Sequence, residues 1–204
     1  MAGCKVIGIF GGVGSGKSIV TEYLHNKYNA YVIKADDVAK NLYRRGRHGY
    51  KAVIRIVGKS VLDEQLEINR PKLADILYSD PDKLKQINNA IHPMVYRKTI
   101  ELIDSYKKTH THGLVVYEAA LIPDRIPEFI DEFWYIYSPS SVRSERLRND
   151  RGYTQDRINE IMNSQPSEDE YKSFCNITIE NTGSFSDLEE KTDEIIKHSQ
   201  RQQR

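Results

Sequence analysis

The sequence predicts an α/β fold, a five-stranded parallel sheet flanked by helices, and three observations carry that expectation. Five short segments, residues 5–10, 30–33, 114–117, 133–137 and 177–179, are rich in β-branched or aromatic residues and mostly lack polar alternation. Such runs suit strands buried on both faces of a parallel sheet. Stretches with helical start signals lie between them, which is the βαβ rhythm of a doubly wound domain. A glycine-rich loop stands between the first strand and the first helical pattern, residues 19–28.

That loop, Gly11-Gly12-Val13-Gly14-Ser15-Gly16-Lys17-Ser18, satisfies G-x-x-x-x-G-K-[ST] in the strand–loop–helix context that gives the pattern its meaning. Its glycines permit backbone angles that aim successive N–H groups at an anion, and the following helix terminus adds partial positive charge. Lys17 reaches the β and γ oxygens of a nucleoside triphosphate, and the Ser18 hydroxyl is placed to ligate Mg²⁺. The domain is therefore read as a P-loop NTPase. A GTP-dependent switch would carry D-x-x-G and N-K-x-D, and neither string occurs in the chain. A kinase needs an acceptor site, a base for the acceptor hydroxyl and cations over the transferring phosphoryl group.

Asp36 follows the second strand, at the sheet edge where α/β proteins gather ligands. A carboxylate there can accept the acceptor's proton, or it can simply cap the next helix, with Asp37 the natural cap beside it. About eighty residues then separate the second and third apolar runs and read as helix throughout, so an inserted helical subdomain is expected over residues 38–111. Asp80-Pro81 and Ser138-Pro139 each set a capping side chain before a proline at the first helical position. Pro93 interrupts the pattern of residues 82–107, which predicts two helices meeting near His92. Ser186-Asp187-Leu188-Glu189 reads as a capping box, followed by Leu188, Ile195 and Ile196 on one face. The tail, residues 197–204, reads as a frayed, solvated end.

Composition narrows the function further. The 204 residues are 39% hydrophobic and carry a net charge of +1, which argues against nucleic-acid or membrane-surface binding. The longest strict apolar run is five residues, 133–137, against the ~20 needed to span a bilayer. Residues 1–5 offer no basic leader and lead directly into the first strand and its glycine loop. Cys4 and Cys175 have no framework spacing and are expected as free thiols. A cytoplasmic protein is the expectation. His110 and His112 lie on a polar loop without a third ligand nearby, so a solvated loop is expected there.

The motifs together resemble the dephospho-coenzyme A kinase family. Gly8–Ser18 reads G-I-F-G-G-V-G-S-G-K-S, close to the family's G-L-T-G-G-I-G-S-G-K-S, and residues 32–36 read V-I-K-A-D where the family has V-I-D-A-D. The Arg70-containing N-R-P-K-L-A-D-I-L-Y-S-D-P stretch, Ile91-His92-Pro93, E-A-A-L-I from Glu118, R-I-N-E-I-M-N-S-Q over residues 157–165 and E-N-T-G over residues 180–183 follow in family order. The resemblance implies ATP-dependent phosphorylation of the ribose 3′-hydroxyl of dephospho-CoA, with Asp36 as base and Lys17 and Arg146 as the catalytic cations. It further implies nucleotide contacts from Gly11 through Ser18, Arg146, Arg151 and Asn181. Acceptor contacts would come from Asp36, Lys34, Arg70, His92 and Glu118. Mg²⁺ would be held by Ser18 and, through water, by Glu118, whose alternative is a solvent-facing strand end. Residues 139–165, with Arg143, Arg146, Arg148, Arg151 and Arg157, resemble the family lid, whose arginines clamp the phosphates. Arg148 and Arg151 both remain open as the second clamp, and some of the five belong to ordinary ion pairs. Lys34 replaces the family's first Asp and sets a cation two residues from the base.

The expected organisation is a core of residues 1–37, 112–138 and 166–204, a helical substrate subdomain over 38–111 and a lid over 139–165. A monomer or weak homo-oligomer acting on ATP and dephospho-CoA, with no nucleic-acid or membrane partner, completes the reading. Its rivals are another small nucleoside or nucleotide kinase and a non-catalytic nucleotide sensor.

Overall fold

The computed structural model describes residues 3–123 and 125–201, the last two by backbone alone. In chain order the elements are β1 (Lys5–Phe10), α1 (Lys17–Tyr28), β2 (Tyr31–Lys34), α2 (Ala35–Leu42), α3 (His48–Val57), a single 3-10 turn (Lys59–Val61), α4 (Arg70–Ser79) and α5 (Pro81–Thr109). They continue with β3 (Leu114–Ala119), β4 (Glu132–Tyr137), α6 (Ser140–Arg151), α7 (Gln155–Asn163), α8 (Glu168–Phe174), β5 (Ile177–Glu180) and α9 (Phe185–Arg201). The chain divides into two compact units, one formed by Met1–Ile33 with Tyr106–Arg204, the other by Lys34–Ser105.

The first unit holds a five-stranded sheet in the order β2-β3-β1-β4-β5, with β1 parallel to both β3 and β4, and β4 parallel to β5. Central position explains why β1 carries no polar alternation. Ile7 and Ile9 face Val20 and Leu24 of α1 and Leu188 and Ile196 of α9 in one aliphatic cluster with Trp134 and Ile179. Phe10 faces the other way, stacked on Phe133 and edge-on to Phe174 and Tyr117. Gly8 leaves room on that side for the Phe10 ring and Ile130, which a Cβ there would approach at 2.7 and 2.8 Å, so one of them would have to shift. An Asp193 carboxylate on α9 accepts the hydroxyls of Tyr23 and Tyr28 at 2.7 Å and pairs with Lys27 at 2.6 Å, fastening α9 to α1.

The second unit is mostly helical, with a turn over residues 43–47 between α2 and α3 and a longer break in the expected continuity over residues 58–69. There Leu62 bridges Ile68 antiparallel, and Asp63 accepts the N–H groups of Gln65 and Glu67. Pro93 does not divide the long helix: α5 runs unbroken from Pro81 to Thr109 with Pro93 inside it. The reason is the buried stripe Ile87, Ile91, Val95, Thr99 and Ile103, which recurs at helical spacing on both sides of the proline. That burial outweighs one missing hydrogen bond.

Local start signals were partly displaced. Asp80 does cap α5, its Oδ1 accepting the Lys83 N–H at 3.0 Å. Ser138 does not cap α6, whose N-cap is Pro139, and its hydroxyl instead donates to Asn181 O at 2.6 Å. The box at α9 is Ser184 with Asp187, two residues earlier than expected, with Asp187 Oδ2 accepting the Ser184 N–H and Ser184 Oγ accepting the Asp187 N–H. Leu188 and Ile196 nonetheless face the sheet as the pattern requires. The tail is helical through Arg201, while residues 202–204 lie outside the described residues. Both cysteines are free, and burial pushes the Cys175 thiol up to about 12. His110 stacks on Tyr106 at 4.1 Å, and no cluster of metal-ligating side chains occurs among the described residues.

Candidate functional site

The phosphate loop leaves β1 at its carboxyl end and closes on α1. Gly11, Gly14 and Gly16 take φ of +147°, +81° and +98°, values that side-chain-bearing residues rarely adopt. Ser15 N–H donates to Gly12 O at 3.2 Å, tightening the turn. Its buried hydroxyl has no hydrogen-bond partner among the described residues. Lys17 is buried at the mouth of α1, where Nζ donates to Gly11 O at 2.7 Å and Gly12 O at 3.1 Å. The ammonium is thus held directly over the loop whose N–H groups favour an anion.

Glu118 comes to the loop from β3. Its Oε1 accepts the Ser18 hydroxyl at 3.1 Å and its Oε2 accepts Thr21 Oγ1 at 3.0 Å, so the carboxylate is not a solvent-facing strand end. One hydroxyl and one carboxylate of fixed orientation form a hard-oxygen donor pair of the kind Mg²⁺ takes.

Helix α6 lies against the same loop. Arg146 Nη1 donates to Gly14 O at 3.2 Å and to Ser138 Oγ at 3.1 Å, and Nη2 donates to Asn181 O at 3.3 Å. Asn181, after β5, in turn donates from Nδ2 to Ser15 O at 2.8 Å. Arg143, one helical turn before Arg146, donates from Nε to Val13 O at 2.9 Å. Gln165 Oε1 accepts both the Val13 N–H at 3.0 Å and Arg143 Nη2 at 2.6 Å. Burial holds the Arg143 guanidinium below the usual arginine range, and raises the Tyr171 phenol and, to about 12, that of Tyr135. The remaining three arginines engage α7 or its approach rather than the loop: Arg148 donates to Gln155 Oε1 at 2.5 Å, Arg151 lies 6.0 Å from the Tyr153 ring and Arg157 pairs with Glu160 at 3.1 Å.

Of the residues expected around the acceptor, Lys34, Asp36, Arg70 and His92 fall in the second unit and Glu118 in the first. Asp36 is exposed in the first turn of α2, whose N-cap is Lys34 without a side-chain cap bond, so neither Asp36 nor Asp37 caps the helix. Asp37 pairs with Lys40 at 2.9 Å. That bond, with Lys34 and Arg70 adding their charge, holds the Asp37 carboxyl below its ordinary range. Arg70 begins α4 and donates to Lys40 O at 3.4 Å. His92 is exposed on α5 and stands at no helix break.

Of two further loop partners, the sequence offers Arg143 only among the five lid arginines and Gln165 only as the end of a motif; neither is expected from it to hold the loop backbone. The i, i+3 spacing of Arg143 and Arg146 on one face of α6 was the available signal. Gln165, 152 residues from Val13, offered none.

The dephospho-CoA kinase family model matches residues 5–187. The chain belongs to the dephospho-CoA kinase family. A dephospho-CoA kinase of Aquifex aeolicus is 30% identical over 95% of this chain and 96% of its own length. A crystal structure of TT1252 from Thermus thermophilus matches with TM-score 0.78 at 25% identity, over 96% of this chain and 98% of that one. A dephospho-CoA kinase from Campylobacter jejuni, 20% identical, shares the fold with TM-score 0.61, over 96% of this chain and 97% of that one. This member is a P-loop kinase that phosphorylates dephospho-CoA with ATP to give CoA, the last step of coenzyme A biosynthesis. No helix among its described residues is long and apolar enough to cross a membrane.

Proposed function

We propose that in this reaction Asp36 accepts the proton of the ribose 3′-hydroxyl while that oxygen forms its bond to the γ-phosphorus and the β,γ-bridging oxygen departs with ADP. The observation that carries the assignment of the nucleotide side is the Lys17 ammonium, buried over the carbonyls of Gly11 and Gly12 inside a complete phosphate loop. Lys17 and Arg146 balance the charge on the phosphate chain. The loop of residues 11–18 would cradle its oxygens through backbone N–H groups other than that of Val13, which Gln165 engages, and Asn181 steadies the loop from Ser15. Arg151, exposed beside Tyr153, is free to turn toward the nucleotide from α6.

Ser18 and, through water, Glu118 would hold Mg²⁺, which supplies charge neutralisation at the β and γ oxygens when bound. Their hydroxyl and carboxylate, already 3.1 Å apart, suit that ion. Lys34, Arg70 and His92, with the Asp36 carboxylate, would contact the acceptor. The cationic setting that already lowers the Asp37 carboxyl suits the anionic phosphates of dephospho-CoA. Residues 38–111 act as the acceptor subdomain and residues 139–165 as the lid, in a cytoplasmic monomer or weak homo-oligomer with no nucleic-acid or membrane partner.

The test is ADP release from ATP against a panel of dephospho-CoA, AMP, dCMP and adenosine. Turnover with dephospho-CoA alone, and Mg²⁺-dependent, is the expected result. Turnover with AMP or dCMP at equal efficiency would overturn the acceptor assignment, and ATP binding without any turnover would make the chain a nucleotide sensor.

A further inference from the structure

We propose that Arg143 is a positioning residue of the phosphate loop, gripping the Val13 peptide together with Gln165 and so setting the apex of the loop for the triphosphate. Both backbone groups of Val13 are engaged by side chains from outside the loop: the carbonyl accepts Arg143 Nε at 2.9 Å and the N–H donates to Gln165 Oε1 at 3.0 Å. Arg143 Nη2 closes the ring by donating to the same Gln165 oxygen at 2.6 Å. Three residues from β1's loop, α6 and the end of α7 thereby form one cyclic hydrogen-bond set.

The packing is as specific as the hydrogen bonding. A Cβ on Gly12 would lie 2.0 Å from Arg143 Nη2 and 2.2 Å from Cζ, so the guanidinium lies flat on the bare glycine backbone. A Cβ on Gly14 would meet the Arg143 carbonyl at 3.1 Å, so the α6 backbone itself rests on the loop. The partners of the guanidinium are a carbonyl and an amide, both neutral, and the titratable groups that act on it are the phenols of Tyr135 and Tyr171. What the site uses is the planar fork: two N–H vectors fixed relative to one another and matched to two acceptors. Lysine carries the same charge without that geometry.

The consequence for catalysis is indirect. With the Val13 N–H engaged by Gln165, the N–H groups left for the phosphates belong to the positions that follow it, among them Gly14 and Gly16, where φ is positive. Releasing the Val13 peptide lets it rotate and misaligns its neighbours, and displacements of about 1 Å at such a site cost on the order of 10²-fold in rate.

The experiment compares Arg143→Met, Arg143→Lys, Gln165→Leu and the double variant Arg143→Met/Gln165→Leu in steady-state kinetics, with melting temperatures alongside. Each single variant is expected to raise KM for ATP and lower kcat, by a combined factor of roughly 10² in kcat/KM for ATP, with KM for dephospho-CoA within twofold of the parent. The double variant is expected to lose no more than the worse single, because both act through one peptide. Arg143→Lys and Gln165→Leu keep most of the side-chain volume, so the comparison stands even where Arg143→Met lowers the melting temperature. Parent-like activity in Arg143→Lys would mean that charge alone matters and would overturn the proposal. So would losses that multiply in the double variant, or an unchanged KM for ATP accompanied by a lower melting temperature and a smaller active fraction.

Discussion

The hydroxyl of Ser18 and the carboxylate of Glu118, 100 residues apart in the chain, meet at 3.1 Å beside the phosphate loop. Thr21 holds the other carboxylate oxygen at 3.0 Å, so Glu118 is presented in one orientation. In Glu118→Gln the amide keeps the hydrogen bonding but loses the charge that favours a divalent cation. The Mg²⁺ concentration for half-maximal activity is expected to rise roughly tenfold, the lower end of the scale for weakened metal sites. An unchanged Mg²⁺ titration would reduce Glu118 to a strut between β3 and α1.

Lys17→Ala is expected to abolish turnover while leaving the fold intact. The ammonium contributes two hydrogen bonds to loop carbonyls, but the sheet and the loop glycines do not depend on it. Circular dichroism should match the parent; a normal kcat in this variant would sink the assignment of the loop.

Arg146→Ala removes a fork that joins Gly14, Ser138 and Asn181 and, on the proposed role, the charge over the transferring phosphoryl group. A loss in kcat of order 10² is expected. Activity within twofold of the parent, measured at saturating ATP, would leave Arg146 as a structural brace only.

For Asp36 the geometry sharpens the test, because the side chain is exposed and caps nothing. Both Asp36→Asn and Asp36→Ala should therefore leave the melting temperature unchanged. In each, kcat should fall by roughly 10²–10⁴, the usual range for removal of a general base. Full activity in Asp36→Asn would mean another group takes the proton.

Most of this architecture was legible in the chain because it is written in local pattern. Unalternated, β-branched runs as short as residues 5–10 suit central strands, and the glycine spacing of residues 11–18 in a strand–loop–helix context points to a phosphate loop. What escaped reading is decided by tertiary packing. Pro93 stays inside α5 because Ile91 and Val95 are buried on either side of it. Ser138 gave up its capping role because Asn181 and Arg146 offer its hydroxyl other partners. The choice of Arg143 over Arg148 or Arg151 as the loop's partner depends on which way α6 faces, and the composition of that helix is charged all round.

Stability at low pH should hinge on Asp193. Burial alone would raise its carboxyl, but the hydrogen bonds from Lys27, Tyr23 and Tyr28 outweigh it and bring the group down to about 2. Its folded value lies below the unfolded one of ~3.9, so its stabilising contribution is complete above that value and is lost as pH falls toward 2. Asp193→Asn should therefore melt several degrees below the parent at pH 7, with the gap closing between about pH 4 and pH 2. A gap independent of pH in that interval would assign the effect to packing.

The lone tryptophan of the chain, Trp134, has no exposed surface, and its indole N–H donates to Glu132 at 3.1 Å within the aliphatic layer under α1 and α9. Its emission will be short-wavelength in the native state and will shift to the red only when that layer opens to water. Among the described residues, none of its partners in that layer comes from α6 or α7, so intrinsic fluorescence is expected to report the integrity of the sheet and not events at those helices. An optical signal from residues 139–165 has to be installed, for instance as a tryptophan at Tyr153, and the buried indole then serves as the internal standard for folded protein.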